Sequence, residues 1–278
     1  MKGARVVALS LAIIIWGGVL AQTPLQLQQI GWMGSARSLG MGGAFTGMVN
    51  DEACLIHNPA GLALLDTRVA GAGTMVNVER TRFSQFFYLE PPAEEAMGGG
   101  FGLFSAENKA VGLKDETIYY TLSQRYDPRL SIGLSVKYHT RTLAGAKDRV
   151  WAFDLGAVYQ LDPQTVIGAS VVNINEPAVL GHRLWRQINV GAAYQYDPNT
   201  VFTLDVFDAT DRVRRQLRLG VERYITPTLC FRLGMMGKNF AFGIGYTTGA
   251  WRIDFGYVHN KDLPIVDDIN IFSISTRF

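Results

Sequence analysis

Residues 129–142 read RLSIGLSVKYHTRT, and apolar side chains alternate in them with small or polar ones. One face carries the apolar set Leu130, Ile132, Leu134, Val136 and Tyr138. The other face carries serine, glycine, lysine and histidine. A period of two residues predicts a β-strand with one apolar face. The same alternation recurs in the segments that begin near Trp151, Ile188, Phe240 and Trp251.

The alternation continues along most of the chain. It predicts fourteen strands, at 67–78, 83–90, 96–106, 115–126, 129–142, 149–161, 164–175, 185–197, 199–208, 214–226, 228–237, 239–248, 250–260 and 268–278. Most of them are longer than the ~5–6 residues of ordinary globular strands. An even number of long strands is typical of a bacterial outer-membrane barrel. We therefore predict an all-β fold, a 14-stranded antiparallel transmembrane β-barrel.

The predicted connections are of two kinds. The short ones contain Asp127-Pro128, Asp162-Pro163, Asp197-Pro198, Thr226-Pro227 and Thr248-Gly249. The longer ones alternate with them and span 106–115, 142–149, 175–185, 209–214 and 260–268, whereas 237–239 is a short exception. Bacterial barrels have short periplasmic turns and longer extracellular loops. We therefore expect the Asp-Pro turns and Phe278 on the same rim.

A soluble sandwich or lipocalin-type barrel would show the same alternation with its faces exchanged. The strand lengths and the aromatic residues at strand ends, among them Tyr126, Trp151 and Tyr196, favour a membrane barrel. Because a mid-bilayer Arg or Lys that faces lipid costs ~2–4 kcal/mol, charges should point into the lumen. The predicted lumen-lining residues are Lys137, His139, Asp154, Asp205, Arg218, Glu222, Arg232, Arg252, Asp254 and Arg277.

The N-terminus has the pattern of a signal peptide. Lys2 and Arg5 precede an apolar run that leads to Ala21, which predicts a signal peptide at 1–21 with cleavage after Ala21. A membrane anchor is the alternative, but the run is shorter than the ~20 apolar residues of a spanning helix. Removal of 1–21 leaves 24 basic and 24 acidic side chains, since two of the 26 basic ones are lost. This balance argues against nucleic-acid binding.

The segment before the first strand is rich in glycine. Residues 34–47 read GSARSLGMGGAFTG, and Asp51-Glu52 and Asn58-Pro59-Ala60-Gly61-Leu62 follow. This segment resembles the start of the FadL-like outer-membrane superfamily, and most closely its PorV/PorQ-like branch. The close match covers 34–63, with slight departures at Ser35-Ala36 and at Cys54.

The resemblance implies that residues 22–66 form a plug, or hatch, in the lumen of a barrel formed by 67–278. The plug residues implied by the two motifs are Arg37, Gly40, Gly42, Gly43, Asp51, Asn58, Pro59, Ala60 and Gly61. An ordinary turn at the start of the first strand is the alternative for 58–61. The glycines do not fit a dinucleotide fingerprint, because Phe45 stands where its third glycine would be.

We predict no catalytic, cofactor or metal site. The chain has four histidines, His57, His139, His182 and His259, and none lies in a sequence cluster with metal-ligand spacing. His139 falls on the face expected to line a polar lumen, which explains it without a catalytic role. The protein is therefore not expected to be an enzyme.

The FadL-like resemblance implies passive transport of small hydrophobic molecules across the outer membrane. The PorV/PorQ-like resemblance implies a component of a protein secretion system that binds a protein partner, and a structural barrel is a third possibility. The glycines Gly98, Gly99, Gly100 and Gly102 could weaken their strand and form a lateral gate, or could serve packing alone.

Further partners are suggested by the end of the chain. The last strand ends in Phe278 and resembles the terminal strand that the barrel-insertion machinery recognises. Outer-membrane lipid is the other expected partner. Cys54 and Cys230 would both be exported to an oxidising compartment, where they could form a disulfide between plug and wall or remain two unrelated thiols.

Overall fold

The computed structural model describes residues 34–78, 81–93, 97–212, 215–259 and 268–278. The predicted signal peptide, with its cleavage after Ala21, lies outside the described residues, as do residues 22–33 of the predicted plug. The helices of the described part are short, and none is long and apolar enough to cross a membrane.

The described residues form sixteen strands. They are β1 (Val69–Val78), β2 (Thr81–Glu90), β3 (Gly98–Asn108), β4 (Leu113–Arg125), β5 (Leu130–Leu143), β6 (Ala146–Gln160), β7 (Thr165–Val172), β8 (Ala178–Val179), β9 (His182–Arg183), β10 (Gln187–Asp197), β11 (Thr200–Phe207), β12 (Gln216–Tyr224), β13 (Leu229–Met236), β14 (Asn239–Thr248), β15 (Trp251–Val258) and β16 (Ile269–Arg277).

Fourteen of these strands form one closed antiparallel barrel, in which β1 pairs with both β2 and β16. The predicted 14-stranded barrel is therefore confirmed, and each barrel strand overlaps one predicted segment. The strands β8 and β9 were not predicted; they form a separate hairpin in the connection between β7 and β10. The strand predicted at 164–175 ends at Val172, because Asn173 has a φ of 54° and turns the chain out of the ladder.

The C-terminus and the Asp-Pro turns share one rim, here called the lower rim. Phe278 donates a backbone hydrogen bond to Arg68 beside the start of β1. Each Asp-Pro turn is closed by its aspartate: Asp127 accepts from the backbone of Arg129 and Leu130 at 2.7 and 2.8 Å, and Asp162 does the same for Gln164 and Thr165. The predicted arrangement of the rims is thus present.

The two faces of the wall differ in chemistry. The outer face carries exposed aromatic and aliphatic side chains, such as Phe202 and Leu204 on β11. Charged side chains of the mid-barrel strands point inward. Of the ten predicted lumen-lining residues, nine are buried on the inner face, and Arg277 is exposed at the lower rim. An apolar outer surface around a charged interior is the polarity expected of a membrane barrel.

Candidate functional site: the plug and the lumen

Residues 34–65, here called the plug, lie inside the barrel and are almost all buried. They contain helix α1 (Ala36–Gly40), helix α2 (Cys54–His57) and a 3-10 helix (Pro59–Leu64). Helix α1 packs against β14 and β15, and the 3-10 helix packs against β4, β5 and β6. The plug therefore contacts opposite sides of the wall with different segments.

Local sequence explains where these short helices begin. Ser35 and Ser38 form a capping box at the start of α1, with side-chain to backbone distances of 3.1 and 3.0 Å. Asn58 caps the 3-10 helix by accepting from the backbone of Ala60 at 3.2 Å, and Pro59 occupies the first helical position. The Asn-Pro-Ala-Gly motif is therefore a helix start inside the plug.

A belt of wall glycines surrounds the plug. It consists of one inward-facing glycine on each of nine strands, Gly100, Gly133, Gly156, Gly168, Gly191, Gly220, Gly234, Gly243 and Gly256. In four pairs of neighbouring strands, two belt glycines lie directly opposite each other. Gly133 on β5 and Gly156 on β6 are one such pair. A Cβ atom on any of the nine would come within 3.1 Å of a plug atom. The belt therefore lets the plug backbone lie directly against the wall.

The predicted plug glycines make the matching contacts. A Cβ on Gly40 would lie 2.9 Å from the Cα atom of Gly243, and one on Gly42 would lie 2.6 Å from the backbone nitrogen of Met235. Gly42 also has a φ of 64°, which favours glycine. Gly43 lies beside the Arg218 guanidinium, and Gly61 packs against Val49 within the plug.

Arg37 links the plug to the wall through ion pairs. Its Nε and Nη2 atoms donate to the two carboxylate oxygens of Glu222 at 2.7 and 2.6 Å. Its Nη1 atom donates to Asp51 at 2.8 Å and to Asn50 at 2.7 Å. A guanidinium that binds a carboxylate with two parallel hydrogen bonds is held in a fixed orientation.

The wall continues this network. Glu222 also accepts from Arg232 Nε at 2.6 Å, Arg232 pairs with Asp254 at 2.8 Å, and Arg252 pairs with Asp254 at 2.7 Å. We call the six residues Arg37, Asp51, Glu222, Arg232, Arg252 and Asp254 the charged cluster. Its three cations and three carboxylates balance, and all six are buried. Because buried charges need partners, this balance is what permits the cluster inside the lumen.

Hydrogen bonds without ion pairs hold the rest of the plug. Asp205 accepts from the backbone of Phe45 and Thr46 at 2.8 Å each. Asn58 donates to the carbonyls of Thr46 and Ala157 at 3.0 Å each, and so joins two parts of the plug to β6. Ser123 on β4 donates to the Ala60 carbonyl at 3.0 Å. Asn58 and Ala60 of the predicted set therefore take part in anchoring the plug, and Asp51 supports it through its pair with Arg37.

A polar cavity of about 430 Å³ opens below the plug at the lower rim. Its lining includes Arg37, Glu222 and Arg252 of the charged cluster together with the exposed Arg277. The charged cluster is therefore adjacent to the lower side of the plug, and Arg277 lines the lumen only at its mouth.

The lumen above the plug has two unlike halves. The polar half lies on β4 to β7, where Arg141 binds both carboxylate oxygens of Asp115 at 2.7 and 2.8 Å and Lys137 pairs with Asp154 at 2.6 Å. His139 shares a hydrogen bond of 2.7 Å with Thr117 there. The apolar half consists of the buried side chains Met75, Phe83, Phe87, Phe104, Leu113, Val258, Ile269 and Ile271.

The structure bears on two alternatives that the sequence leaves open. Gly98, Gly100 and Gly102 do not border an opening, because β3 pairs without a register shift along both β2 and β4 and the side chains of Leu62 and Leu55 fill the space beside them. Gly99 faces outward, with no atom within 4 Å of a Cβ placed on it. Cys54 and Cys230 are both buried free thiols, which agrees with the alternative of two unrelated thiols and not with a disulfide between plug and wall.

Sequence reasoning missed the glycine belt and most of the charged cluster's connections. The signal for the belt was present, since β5, β6, β12, β13, β14 and β15 each carry a central glycine on the inward face. Only the tertiary structure shows that all of these glycines contact the plug.

Comparison with known proteins shows which solved structures have a similar architecture. No protein-family model and no curated protein matches the sequence. Among solved structures, the toluene transporter TbuX of Ralstonia pickettii matches with a TM-score of 0.68 at 15% identity, over 88% of this chain and 98% of that chain. The toluene transporter TodX of P. putida matches with a TM-score of 0.68 at 16% identity, over 88% and 98% of the two chains. A FadL homologue of Pseudomonas aeruginosa matches with a TM-score of 0.58 at 12% identity and the same coverage.

The fold is therefore that of a transmembrane β-barrel, and its structural neighbours are FadL-like channels. The FadL-like part of the sequence resemblance is confirmed at the level of the fold. The PorV/PorQ-like branch is not confirmed by these matches and stays a prediction.

Proposed function

We propose that the protein is a channel of the bacterial outer membrane that admits small hydrophobic molecules without an energy source. The observation that carries this proposal is the apolar half of the lumen above a plug that fills the barrel at the glycine belt. Aqueous porins have a polar, water-filled interior. The mainly apolar inner wall from β16 to β4, which Gln85 interrupts on β2, instead provides a surface for an apolar solute.

The composition of that wall suits an apolar solute of aromatic or aliphatic type. Phe83, Phe87 and Phe104 lie on neighbouring strands, and the rings of Phe104 and Tyr119 make an edge contact with centroids 4.9 Å apart. Burial of apolar surface contributes ~25 cal/mol per Å², so an aromatic solute would gain affinity by replacing contacts among these rings. The toluene channels of similar fold support this choice of solute class.

The plug limits the path that such a solute can take through the barrel. At the belt, plug backbone and wall backbone are in direct contact, so the solute cannot pass straight through this conformation. Passage requires displacement of the plug or an exit through the wall. We place the upper rim outside the cell and the lower rim in the periplasm, since the short turns lie on the lower rim.

The alternative of a secretion-system barrel has less support. Most connections described at the upper rim are short, and the longest, 173–186, folds back as the β8–β9 hairpin with Val179 and Leu184 buried. Little of it remains to bind a cargo protein. We also propose that the chain is not an enzyme, that its signal peptide is cleaved after Ala21, and that Phe278 takes part in barrel insertion.

The proposal is tested by uptake of radiolabelled toluene into cells that express the protein in place of their own hydrocarbon channels. The wild type should raise the initial rate severalfold over an empty vector. Phe104→Gln, inside the lumen, should reduce that gain, whereas Phe101→Gln on the outer face of the same strand should not. Folding of each variant is verified by its heat-dependent electrophoretic mobility. A wild-type rate equal to that of the empty vector would refute the proposal.

A further inference from the structure

The outer face of β2 to β6 has a polarity boundary that follows the strand register. One row of directly paired outward residues is apolar and aromatic, with the members Phe86, Leu103, Ile118, Tyr138 and Trp151. The next row toward the upper rim is Ser84, Ser105, Glu116, Thr140 and Arg149. The row above that is Arg82, Glu107, Lys114, Thr142 and Lys147. Rows two residues apart are separated by ~7 Å, so the change from apolar to charged is abrupt.

A groove lies on this boundary. It has a volume of about 470 Å³, and its floor and sides include Phe86, Leu103 and Ile118 from the apolar row and Ser84, Ser105, Thr140 and Glu116 from the row above it. This volume falls within the ~300–1,000 Å³ typical of small-molecule sites. The groove therefore offers an apolar floor with several hydroxyl groups along its upper edge.

The charges above the groove favour an anion. Arg82, Lys147 and Arg149 are exposed, and in the part of the chain that the structure describes none of them forms an ion pair. Lys114 is partly neutralised, because it pairs with Glu116 at 2.6 Å. The two polar rows contain four cations and two carboxylates, Glu107 and Glu116, which leaves a net positive charge of two.

On the opposite wall the apolar outward face continues to the upper strand ends. On β11 to β14 the outward residues nearest the upper strand ends are Val206, Leu217, Met235 and Phe240, all apolar. The strands there are 8 to 10 residues long, whereas β3 to β6 have 11 to 15. Polar rows within the strands themselves are therefore found on β2 to β6, whereas on the opposite wall charges such as Arg215 and Lys238 lie beyond the strand ends.

We propose that this face binds a phosphorylated glycolipid of the outer leaflet, of the lipid A type. An acyl chain would lie in the groove, sugar hydroxyls would bond to the serine and threonine hydroxyls, and phosphates would bind Arg82, Lys147 and Arg149. Lipid phosphates attract such clusters of cations at a membrane surface. The inference rests on the proposed outer-membrane location with the upper rim outside the cell, and goes beyond the proposed transport activity.

The test is native mass spectrometry of the purified full-length barrel in detergent, titrated with diphosphorylated lipid A and, separately, with phosphatidylglycerol. The wild type should retain lipid A at concentrations at least tenfold below those needed for phosphatidylglycerol. The double variant Lys147→Glu/Arg149→Glu should weaken lipid A binding tenfold or more. The matched control, Arg215→Glu/Lys238→Glu, reverses the same number of charges at the upper rim on the other side of the barrel and should bind as the wild type does.

A second variant keeps the test informative if the charge reversal impairs folding. Ser105→Trp fills the groove without a change of charge, and should also weaken lipid A binding. Equal binding of both lipids by the wild type, or unchanged lipid A binding in both wall variants, would overturn the proposal. Toluene uptake is measured in parallel: loss of lipid binding with normal uptake leaves the transport proposal intact, and the reverse result refutes transport alone.

Discussion

The two sides of the plug are held to the wall by different physics. On the side of β12 to β15, Arg37 enters the charged cluster and binds Glu222 through two hydrogen bonds. On the side of β4 to β6, the 3-10 helix lies against Gly133 and Gly156 and is held by Asn58 and Ser123. Belt glycines lie on both sides, but only the first contact also depends on charge balance, whereas the second depends mainly on the absence of side chains. One should respond to pH and to loss of charge, and the other to added volume.

The largest effect is expected from Glu222→Ala, which removes the carboxylate shared by Arg37 and Arg232. Breaking a buried ion pair by removing one partner costs ~3–5 kcal/mol, because the remaining charge stays buried. The free energy of unfolding, from urea titration of the barrel in vesicles, should fall by that amount. Glu90→Ala is the control, since its exposed pair with Arg68 contributes only ~0–1 kcal/mol. Equal losses in both variants would contradict a special role of the cluster.

The charged side should also respond to pH through Glu52. Burial, followed by the nearby Asp51, raises the pKa of Glu52 from its ordinary value of 4.5 to about 8. Since the folded state then holds a proton that the unfolded state releases, the contribution of Glu52 to stability is complete below pH 4.5 and declines as the pH rises to about 8. The difference in unfolding free energy between wild type and Glu52→Gln should therefore change across this window. A difference that is constant from pH 4.5 to 8 would contradict the raised pKa.

The glycine side should respond to volume. Gly156→Ala places a methyl group against Asn58 and Pro59, both part of the plug. Overpacking of this kind costs ~1–3 kcal/mol, and here it should also push the plug away from β6. Limited proteolysis of the plug and urea titration measure the two consequences. Gly99→Ala is the matched control, because its new methyl group faces outward and meets no atom within 4 Å. Similar proteolysis of both variants would show that the belt tolerates side chains.

The smallest effect is expected from Asn58→Ala. The substitution removes the cap of the 3-10 helix and two hydrogen bonds to carbonyls of Thr46 and Ala157. Loss of an Asn cap costs ~0.5–2 kcal/mol. Hydrogen exchange of the Ala60 amide should accelerate while amides of β12 to β15 stay protected. Faster exchange on β12 to β15 as well would show that the two sides of the plug do not act separately.

The sequence predicted the barrel well because its information is local. In β5, five apolar residues at alternate positions already specify the strand and its outward face, and the prediction of 129–142 lies one residue from the observed Leu130–Leu143. Local information failed where the chain leaves the ladder. The alternation of side chains does not predict the positive φ of Asn173 or the β8–β9 hairpin that follows it.

Residues 98–102 show the same limit at the candidate site. Three consecutive glycines weaken a strand considered by itself, so the sequence leaves open both a lateral opening and a packing role. In the barrel, two unbroken ladders and the side chains of Leu55 and Leu62 close that region.

By itself the sequence determined the strand number, the two faces of the wall, the shared rim of the Asp-Pro turns, and the presence of a glycine-rich segment ahead of the barrel. All of these follow from side-chain period and turn chemistry over a few residues. Only the tertiary structure decided that Gly133 faces Gly156 and that Arg37 meets Glu222, 185 residues further along the chain. Such meetings depend on the register between strands and on the closure of the barrel, which bring distant residues to the same height around the plug.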